Sequence, residues 1–560
     1  MKPDTKAGLE VALLATILVV SAHIALAVTA TGVPTFTLVG AVHTIAVVLH
    51  LLFNAALPAG VQLGSLTNYL AVFLPLLGLC ALGWWGAAVA ARKIWPHRST
   101  DDQGLLTNQQ LRRQNKRDMV LPEPFAFIGG KPFYATKENS FCMIAMSGTG
   151  KTVRFVVQMV ARAAGACVTT STRLDVFFLT AWVRAKKGRA LTFAPEYRSL
   201  LPWKWRVHWD IIAGCESTET ALERADAIAN AMPLGGDSKD SGFFKESASL
   251  ILRCMMHAAA LGMPGTTRTY TMRDVIDWMQ DSTIDTPYTI LREHPNSNRR
   301  WFGDLKTFAR GDATETRNNM VQTVTILLKA LAIDEILDAV CPAEGVIMLD
   351  LNDFLSSTDT LYLMSKKKGL AAPVITALVE SLQSAAMDAG EIKRLDPILT
   401  FVLDELCNVC PLPSAPGLMT DGRGHGIQVA AILQGRQQCV QRFGNEGADT
   451  IINLSSCLLL LGGSRDIQHL REISELAGKR DVLKTSTSSG SSGSSEQHSE
   501  TKEEVFSVQA LRELEEGKAI MLYSNLPAVI VEMPGHWEGA DADIYATSLQ
   551  ATQTDLGLAA

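Results

Sequence analysis

Eight consecutive residues, Ala145-Met146-Ser147-Gly148-Thr149-Gly150-Lys151-Thr152, have the types and spacing of a phosphate-binding loop in all but the first position, where the pattern has Gly. Gly148 and Gly150 let the backbone curl so that successive N–H groups face a polyphosphate. Ser147, Gly148, Thr149, Gly150, Lys151 and Thr152 are therefore the candidate nucleotide-binding residues. Lys151 reaches the terminal phosphates, and the Thr152 hydroxyl can hold Mg²⁺. A second stretch, Pro397 to Glu405, is a buried-strand run that ends in two adjacent carboxylates. In phosphoryl-transfer sites a strand-end acid orients the metal and its water, and a following Glu can take a proton from that water. Asp404 is thus the metal-side acid, beside Thr152, and Glu405 the general base. A strand ending in Asp-Glu says little alone; paired with the glycine-rich loop it says much more. The plain alternative for 145–152 is a glycine-rich turn that binds nothing.

Both motifs need strands to present them. Phe141 to Ile144 is an apolar run leading into the loop, and Val153 to Ala163 is helix-like behind it. Ala166–Ser171 reads as a second strand, so residues 131–214 have α/β patterning. From 215 to 340 the pattern changes. Thr220-Ala221-Leu222-Glu223 is a capping box, and Phe243–Leu261, Met272–Met279 and Thr314–Ile333 have helical spacing. These residues read as an all-helical insertion between the two motifs. Strands return in 341–560, at Val346–Leu351, Thr360–Met364, Ile398–Leu403, Gln428–Leu433 and Ser456–Leu461, with a helix at Ala372–Ala389. Residues 485–503 are Ser/Gly/Glu-rich and are expected to be a flexible loop. A helix at Leu511–Glu516 and strands at Ala519–Tyr523 and Ala528–Val531 follow, and the chain ends in an expected loose tail.

The chain has 560 residues and a net charge of −6, so no global basic field advertises nucleic acid. Its ten cysteines are scattered; Cys407 and Cys410 are spaced for metal or redox chemistry, but no second pair exists, and reduced thiols fit better than a disulfide framework. Residues 1–93 read as a membrane anchor. Val11–Ala30 and Tyr69–Ala91 are apolar and of bilayer length. The intervening run, Phe36–Leu57, is interrupted by His43, His50 and Asn54 and leaves two or three spans open. Lys2 and Lys6 on one flank and Arg92, Lys93 and Arg98 on the other put both flanks in the cytoplasm, which favours two. His23, His43 and His50 are candidates for a proton or metal path or for plain packing. Residues 94–130 are a polar connector whose Arg112, Arg113, Lys116 and Arg117 suit DNA, anionic lipid or a solvated linker equally.

Two further residues belong with the nucleotide. Arg423 lies in Asp421-Gly422-Arg423-Gly424-His425-Gly426, read as a mobile turn, and can act as an arginine supplied to a neighbouring subunit's phosphates. Gln434 ends the Gln428–Leu433 strand, where it can sense a phosphate or orient water. Both are candidate catalytic residues with Glu405; the plain alternatives are a surface turn residue for Arg423 and a strand cap for Gln434.

In order and spacing these motifs resemble the type IV coupling proteins of bacterial conjugation, the VirD4/TraG/TraD-like family. The resemblance rests on the N-terminal spans, the loop at 145–152, the helical insertion, Asp404-Glu405, Arg423, the Val429-Ala430-Ala431-Ile432-Leu433-Gln434 strand and the Ile473–Arg480 stretch. It covers nearly the whole chain. It implies an α/β, RecA-like P-loop NTPase domain (131–214 and 341–560) with an inserted all-α domain facing substrate and N-terminal transmembrane helices. It further implies a multi-pass protein of the bacterial inner membrane, a homo-hexamer that uses ATP and Mg²⁺. Such a protein brings DNA, in a sequence-independent way, with its relaxase or relaxosome, or protein effectors, to a type IV secretion channel. Lys366-Lys367-Lys368 is a candidate DNA-contacting loop. Two departures stand out: Ala145 for the first loop Gly, and Thr172-Arg173-Leu174-Asp175 where relatives often carry an Asp-Pro-Lys-like turn. Competing readings are an FtsK-like double-stranded DNA translocase, disfavoured by the short terminal unit, and a non-hydrolysing membrane scaffold.

Overall fold

The computed structural model describes residues 124–558, except 232–238, 267–269, 282–283, 311–330, 332, 367–369, 491–492 and 540. The expected membrane spans, the histidines at 23, 43 and 50, the basic connector cluster and Lys367-Lys368 lie outside the described residues. Among the described residues no helix is long and apolar enough to cross a membrane.

The chain opens with a short hairpin, β1 (Ala126–Ile128) and β2 (Lys131–Phe133), and then enters β3 (Phe141–Ile144). After the glycine-rich loop comes a π-helical turn, Thr152–Val156, that continues as α1 (Val157–Arg162). Next are β4 (Cys167–Ser171), α2 (Asp175–Arg184), β5 (Ala190–Phe193) and β6 (Val207–His208). Helices α3 (Thr218–Ala231), α4 (Lys239–Leu261), α5 (Met272–Gln280), α6 (Thr286–Glu293), α7 (Arg299–Arg310) and α8 (Asp334–Ala339) follow. The chain returns at β7 (Ile347–Met348), which pairs in parallel with β6. The two ends of the helical insertion therefore run side by side as a separate two-stranded sheet. Leu349 N–H to His208 C=O (2.8 Å) and Trp209 N–H to Ala339 C=O (2.9 Å) close that neck.

Beyond the neck are α9 (Leu351–Leu355), β8 (Thr360–Met364), α10 (Ala372–Ile392), β9 (Leu399–Leu403), α11 (Leu406–Val409) and α12 (Ala415–His425). Then come β10 (Ile427–Leu433), α13 (Arg436–Asn453), β11 (Cys457–Leu461) and α14 (Ile467–Ala477). The remainder is β12 (Lys479–Gly490), β13 (Gly493–Glu504), α15 (Val508–Arg512), β14 (Lys518–Tyr523), β15 (Val529–Glu532) and α16 (Ala542–Asp555).

One eleven-stranded sheet organises these parts, in the order β2-β1-β15-β14-β11-β3-β10-β9-β4-β8-β5. From β11 to β5 every pairing is parallel, and the four strands beyond β11 are antiparallel. The pleat sends alternate side chains to opposite faces, so a strand buried on both sides is apolar throughout. β3 obeys this: Phe141 and Met143 enter one core, Cys142 and Ile144 the other. Each fully buried side chain of that size contributes about 1.5–3 kcal/mol. The second core runs on without interruption into the insertion, joining Ile228, Met255 and Trp278 to Val168 and Leu378. Arg184, fully buried, ties α2 to the sheet through the carbonyls of Ala163, Gly165 and Thr358 and the Thr360 hydroxyl.

Four expectations are corrected. Residues 485–503 are not an open loop: β12 and β13 pair antiparallel from Lys479↔Glu504 to Gly490↔Gly493. A strand ladder is made of backbone hydrogen bonds, so a polar sequence does not forbid it. Arg423 lies not in a turn but in the last turn of α12, which starts at Ala415 with Pro416 in its first turn and stops at the left-handed Gly426. The strand expected over Val346–Leu351 ends early, because the Asp350 carboxylate caps Asp353 N–H (2.8 Å) and starts α9. The expected loose tail contains α16, docked on α2 where the Ser548 hydroxyl accepts Trp182 N–H (3.1 Å) and Thr552 bonds Phe178 C=O.

Gly426 aims β10 into the sheet. Its φ is 83°, and an added Cβ would lie 2.4 Å from Leu395 O. Gly426→Ala is expected to cost about 1–3 kcal/mol in thermal unfolding. Gly424→Ala, where nothing lies within 4 Å, should be neutral or stabilising.

Candidate functional site

In an open parallel sheet, ligands bind beyond the carboxyl ends of the strands. The strands that matter are β3, β10 and β9, side by side in that order. Strand spacing places the ends of β3 and β9 about 10 Å apart, with β10 between them. Lysine is long enough to cross that gap.

Ala145 continues β3: its N–H donates to Leu433 C=O at 2.9 Å, and it is 1% exposed. Its φ is negative, since Glu405 and Ser524 are the positive-φ residues other than Gly among the described residues. The first position of this loop needs no glycine freedom, and Ala fits it without strain. The positive φ values come later, 87° at Gly148 and 82° at Gly150. Met146, Ser147 and Gly148 are exposed, and the Thr149 hydroxyl donates back to Met146 C=O (2.8 Å). The loop thus offers its backbone to solvent while its last residues turn inward.

Lys151 is 7% exposed and Asp404 3%. The Lys151 ammonium donates to Asp404 Oδ1 at 2.6 Å and lies 3.8 Å from Glu405 Oε1. The Thr152 hydroxyl donates to Asp404 Oδ2 at 3.3 Å. Asp404 is fixed from behind by the Thr170 hydroxyl, which donates to its backbone carbonyl (2.8 Å). Lys151, Thr152, Asp404 and Glu405, far apart in the chain, therefore meet at one point. Gln434 directly follows β10, whose last carbonyl is the one Ala145 bonds, so it stands beside the same loop.

Arg423 is not brought to this point. It is exposed and precedes β10, at the opposite edge of the sheet from Gln434. Seven residues of strand separate the two edges, about 20 Å. Within one chain Arg423 cannot reach the Lys151 loop.

Around the convergence, Tyr197 donates its hydroxyl to Thr172 C=O (2.8 Å), and burial, then Glu196 and Glu405, push its phenol upward. Glu196 accepts from the Ser365 hydroxyl (2.7 Å) and Lys366 N–H (3.0 Å). Thr172-Arg173-Leu174-Asp175 lies at this edge too, with Arg173 and Asp175 paired at 2.7 Å on the surface. Cys407 does not pair with Cys410. It hydrogen-bonds Cys439 on α13, which lowers the Cys439 thiol and raises that of Cys407. All described cysteines are free and buried, and no cluster of metal-ligating residues occurs among the described residues.

Sequence reading missed Thr170, Tyr197 and Arg154. Arg154, two residues past the loop, is 8% exposed and bonds Met533 C=O, Glu538 and Glu516, none of which any local pattern connects to it.

Glu405 has φ 54° and ψ 45°, the left-handed region. That conformation costs a non-glycine residue about 1–2 kcal/mol and is held by its surroundings. Glu405→Gly is expected to be more stable than Glu405→Ala by about 1 kcal/mol, read from denaturant midpoints, because only the Ala variant keeps the strain.

A family model described as the TraM recognition site of TraD and TraG matches residues 398–516, a stretch that takes in Asp404, Glu405, Arg423 and Gln434. No curated protein matches by sequence. Among solved structures, the bacterial conjugative coupling protein TrwBdeltaN70, in a trigonal form with sulphate, matches with TM-score 0.56 and 17% identity over 77% of this chain and 93% of that one. TrwB in complex with the ATP analogue ADPNP matches with TM-score 0.56 and 18% identity, over 77% and 92%. TrwB in complex with ADP and Mg²⁺ gives 0.55 and 19%, over 78% and 94%. At such identities the likeness is one of fold. The matched stretch and the shared fold bear out the resemblance read from the sequence, that of a type IV coupling protein of the VirD4/TraG/TraD-like family.

Proposed function

We propose that the chain is a membrane-anchored, ATP-hydrolysing coupling protein. It recruits relaxase-bound DNA, protein substrates or both to a type IV secretion channel and drives their transfer during conjugation. The observation that carries this reading is the convergence of Lys151, Thr152, Asp404 and Glu405 at the carboxyl edge of a parallel sheet. A scaffold needs neither a metal acid nor a base there. TrwB, which shares the fold, has been solved with ADPNP and with ADP and Mg²⁺.

The residues fit a nucleotide and Mg²⁺. The exposed backbone of Ser147 to Gly150 suits the phosphates, and Lys151 suits their terminal charge. Thr152 and Asp404 already share one hydrogen bond and together offer oxygens of the kind Mg²⁺ takes. Mg²⁺, when bound, neutralises charge on the phosphates. Glu405, beside Lys151 yet partly exposed, takes the proton of an attacking water in this reading. Gln434, at the adjoining strand end, orients that water or reads the terminal phosphate. Arg423, at the far edge, acts only on a neighbour's site, so the active form is a ring, taken here as a hexamer. The apolar N-terminal runs hold this ring at the inner membrane, and the helical insertion meets the substrate. DNA contacts are to the backbone and ignore sequence.

Two variants separate binding from turnover. Lys151→Ala should weaken ATP binding and cut hydrolysis by about 10²-fold or more. Glu405→Gln should bind ATP as the wild type does and lose about 10²–10⁴-fold in turnover. Equal transfer by wild type and both variants would leave the scaffold reading in place.

A further inference from the structure

The segment Met533–Glu538 lies across the first turns after the phosphate loop and is bonded to them at four places. Arg154 donates to Met533 C=O (3.0 Å) and to Glu538 Oε2 (3.0 Å). Gln158 donates to Pro534 C=O (2.6 Å), and His536 N–H donates to Val153 C=O (3.2 Å). Glu538 is held in turn by Gly535 N–H (2.8 Å), and these two donors keep its carboxyl below the usual range. The Arg154 guanidinium also sits 5.2 Å from the Trp537 ring centre.

This strap bears on the loop itself. The Arg154 main-chain N–H donates to Gly150 C=O (3.0 Å), and a Cβ at Gly150 would lie 3.2 Å from the Arg154 side chain. The same guanidinium closes on Gly517, where an added Cβ would stand 3.0 Å from it. Gly150 and Gly517 leave only enough room for this one side chain. The bonded turn is π-helical, Thr152–Val156, a form seen mostly as single turns within α-helices and frequently at functional sites. A wider turn directly behind Thr152 sets where Lys151 and Thr152 point, and the strap is what grips it. The strap then leads into α16 on α2, so the C-terminal segment and the loop form one bonded unit.

We infer that Arg154 is a positioning residue for the nucleotide: gripped by Met533–Glu538, it holds the π-turn that aims Lys151 and Thr152, and so couples the C-terminal segment to nucleotide binding. The inference rests on the nucleotide reading of the loop.

The test uses the full-length protein with Mg²⁺ and ADPNP. Hydrogen exchange of peptides covering 533–538 should slow by about tenfold when ADPNP binds, as expected of a local opening that binding suppresses. Glu538→Gln, whose side chain is 43% exposed and so leaves folding intact, should weaken ADPNP affinity by about tenfold without moving the thermal midpoint. Arg154→Ala should weaken it further, and Arg154→Lys should recover part of the loss. ADPNP binding that requires Lys151 but leaves strap exchange and the affinities of these variants unchanged would overturn the inference alone. Wild-type protein that binds no ADPNP would overturn the nucleotide reading and the inference together.

Discussion

A buried ammonium is the constraint on which this architecture depends. Taking Lys151 and Asp404 out of water costs several kcal/mol per charge, and their attraction offsets that only with close contact and further hydrogen bonds. The structure supplies both: 2.6 Å between the charges, the Thr152 hydroxyl on the second carboxylate oxygen, and Thr170 anchoring the carbonyl behind. An apolar pair would serve stability at least as well at such a place. A buried lysine with two carboxylates at a strand edge is therefore best understood through the chemistry it can do.

The topology follows from that requirement. Lys151 leaves β3 and Asp404 leaves β9, and the one strand between them, β10, ends in Gln434. Three strand ends thus deliver three kinds of group to one edge, while the parallel ladder fixes their heights. The helical insertion interrupts the chain without disturbing this edge, because β6 and β7 return it to where it left. The opposite edge carries Arg423, so within one chain it stays a full strand length away from the Lys151 loop.

The legible parts were local. The glycines and Lys-Thr of 145–152 and the Asp-Glu at 404–405 announce themselves because each loop needs those residue types in consecutive positions. The insertion is readable from 3.6-residue periodicity, as in α4 and α5. What escaped depends on partners distant in sequence or on balances between weak local preferences. Arg154 looks like any helix residue until Met533 and Glu538 are placed against it. The three glycines before Gly426 suggest a turn, yet helix α12 forms because Pro416 starts it and packing of Leu418 and Met419 outweighs glycine's entropy. The polar residues of 485–503 carry no burial signal, and the cross-strand register that pairs them is a backbone property. Glu405's left-handed conformation could not be read at all, since Glu has no preference for it.

The central claim is that this site powers movement of DNA. The most direct test measures ATP hydrolysis by the purified full-length protein with and without single- and double-stranded DNA, beside Lys151→Ala. The account predicts turnover that DNA stimulates and that the substitution abolishes. Turnover that requires Lys151 but is indifferent to both forms of DNA would contradict it.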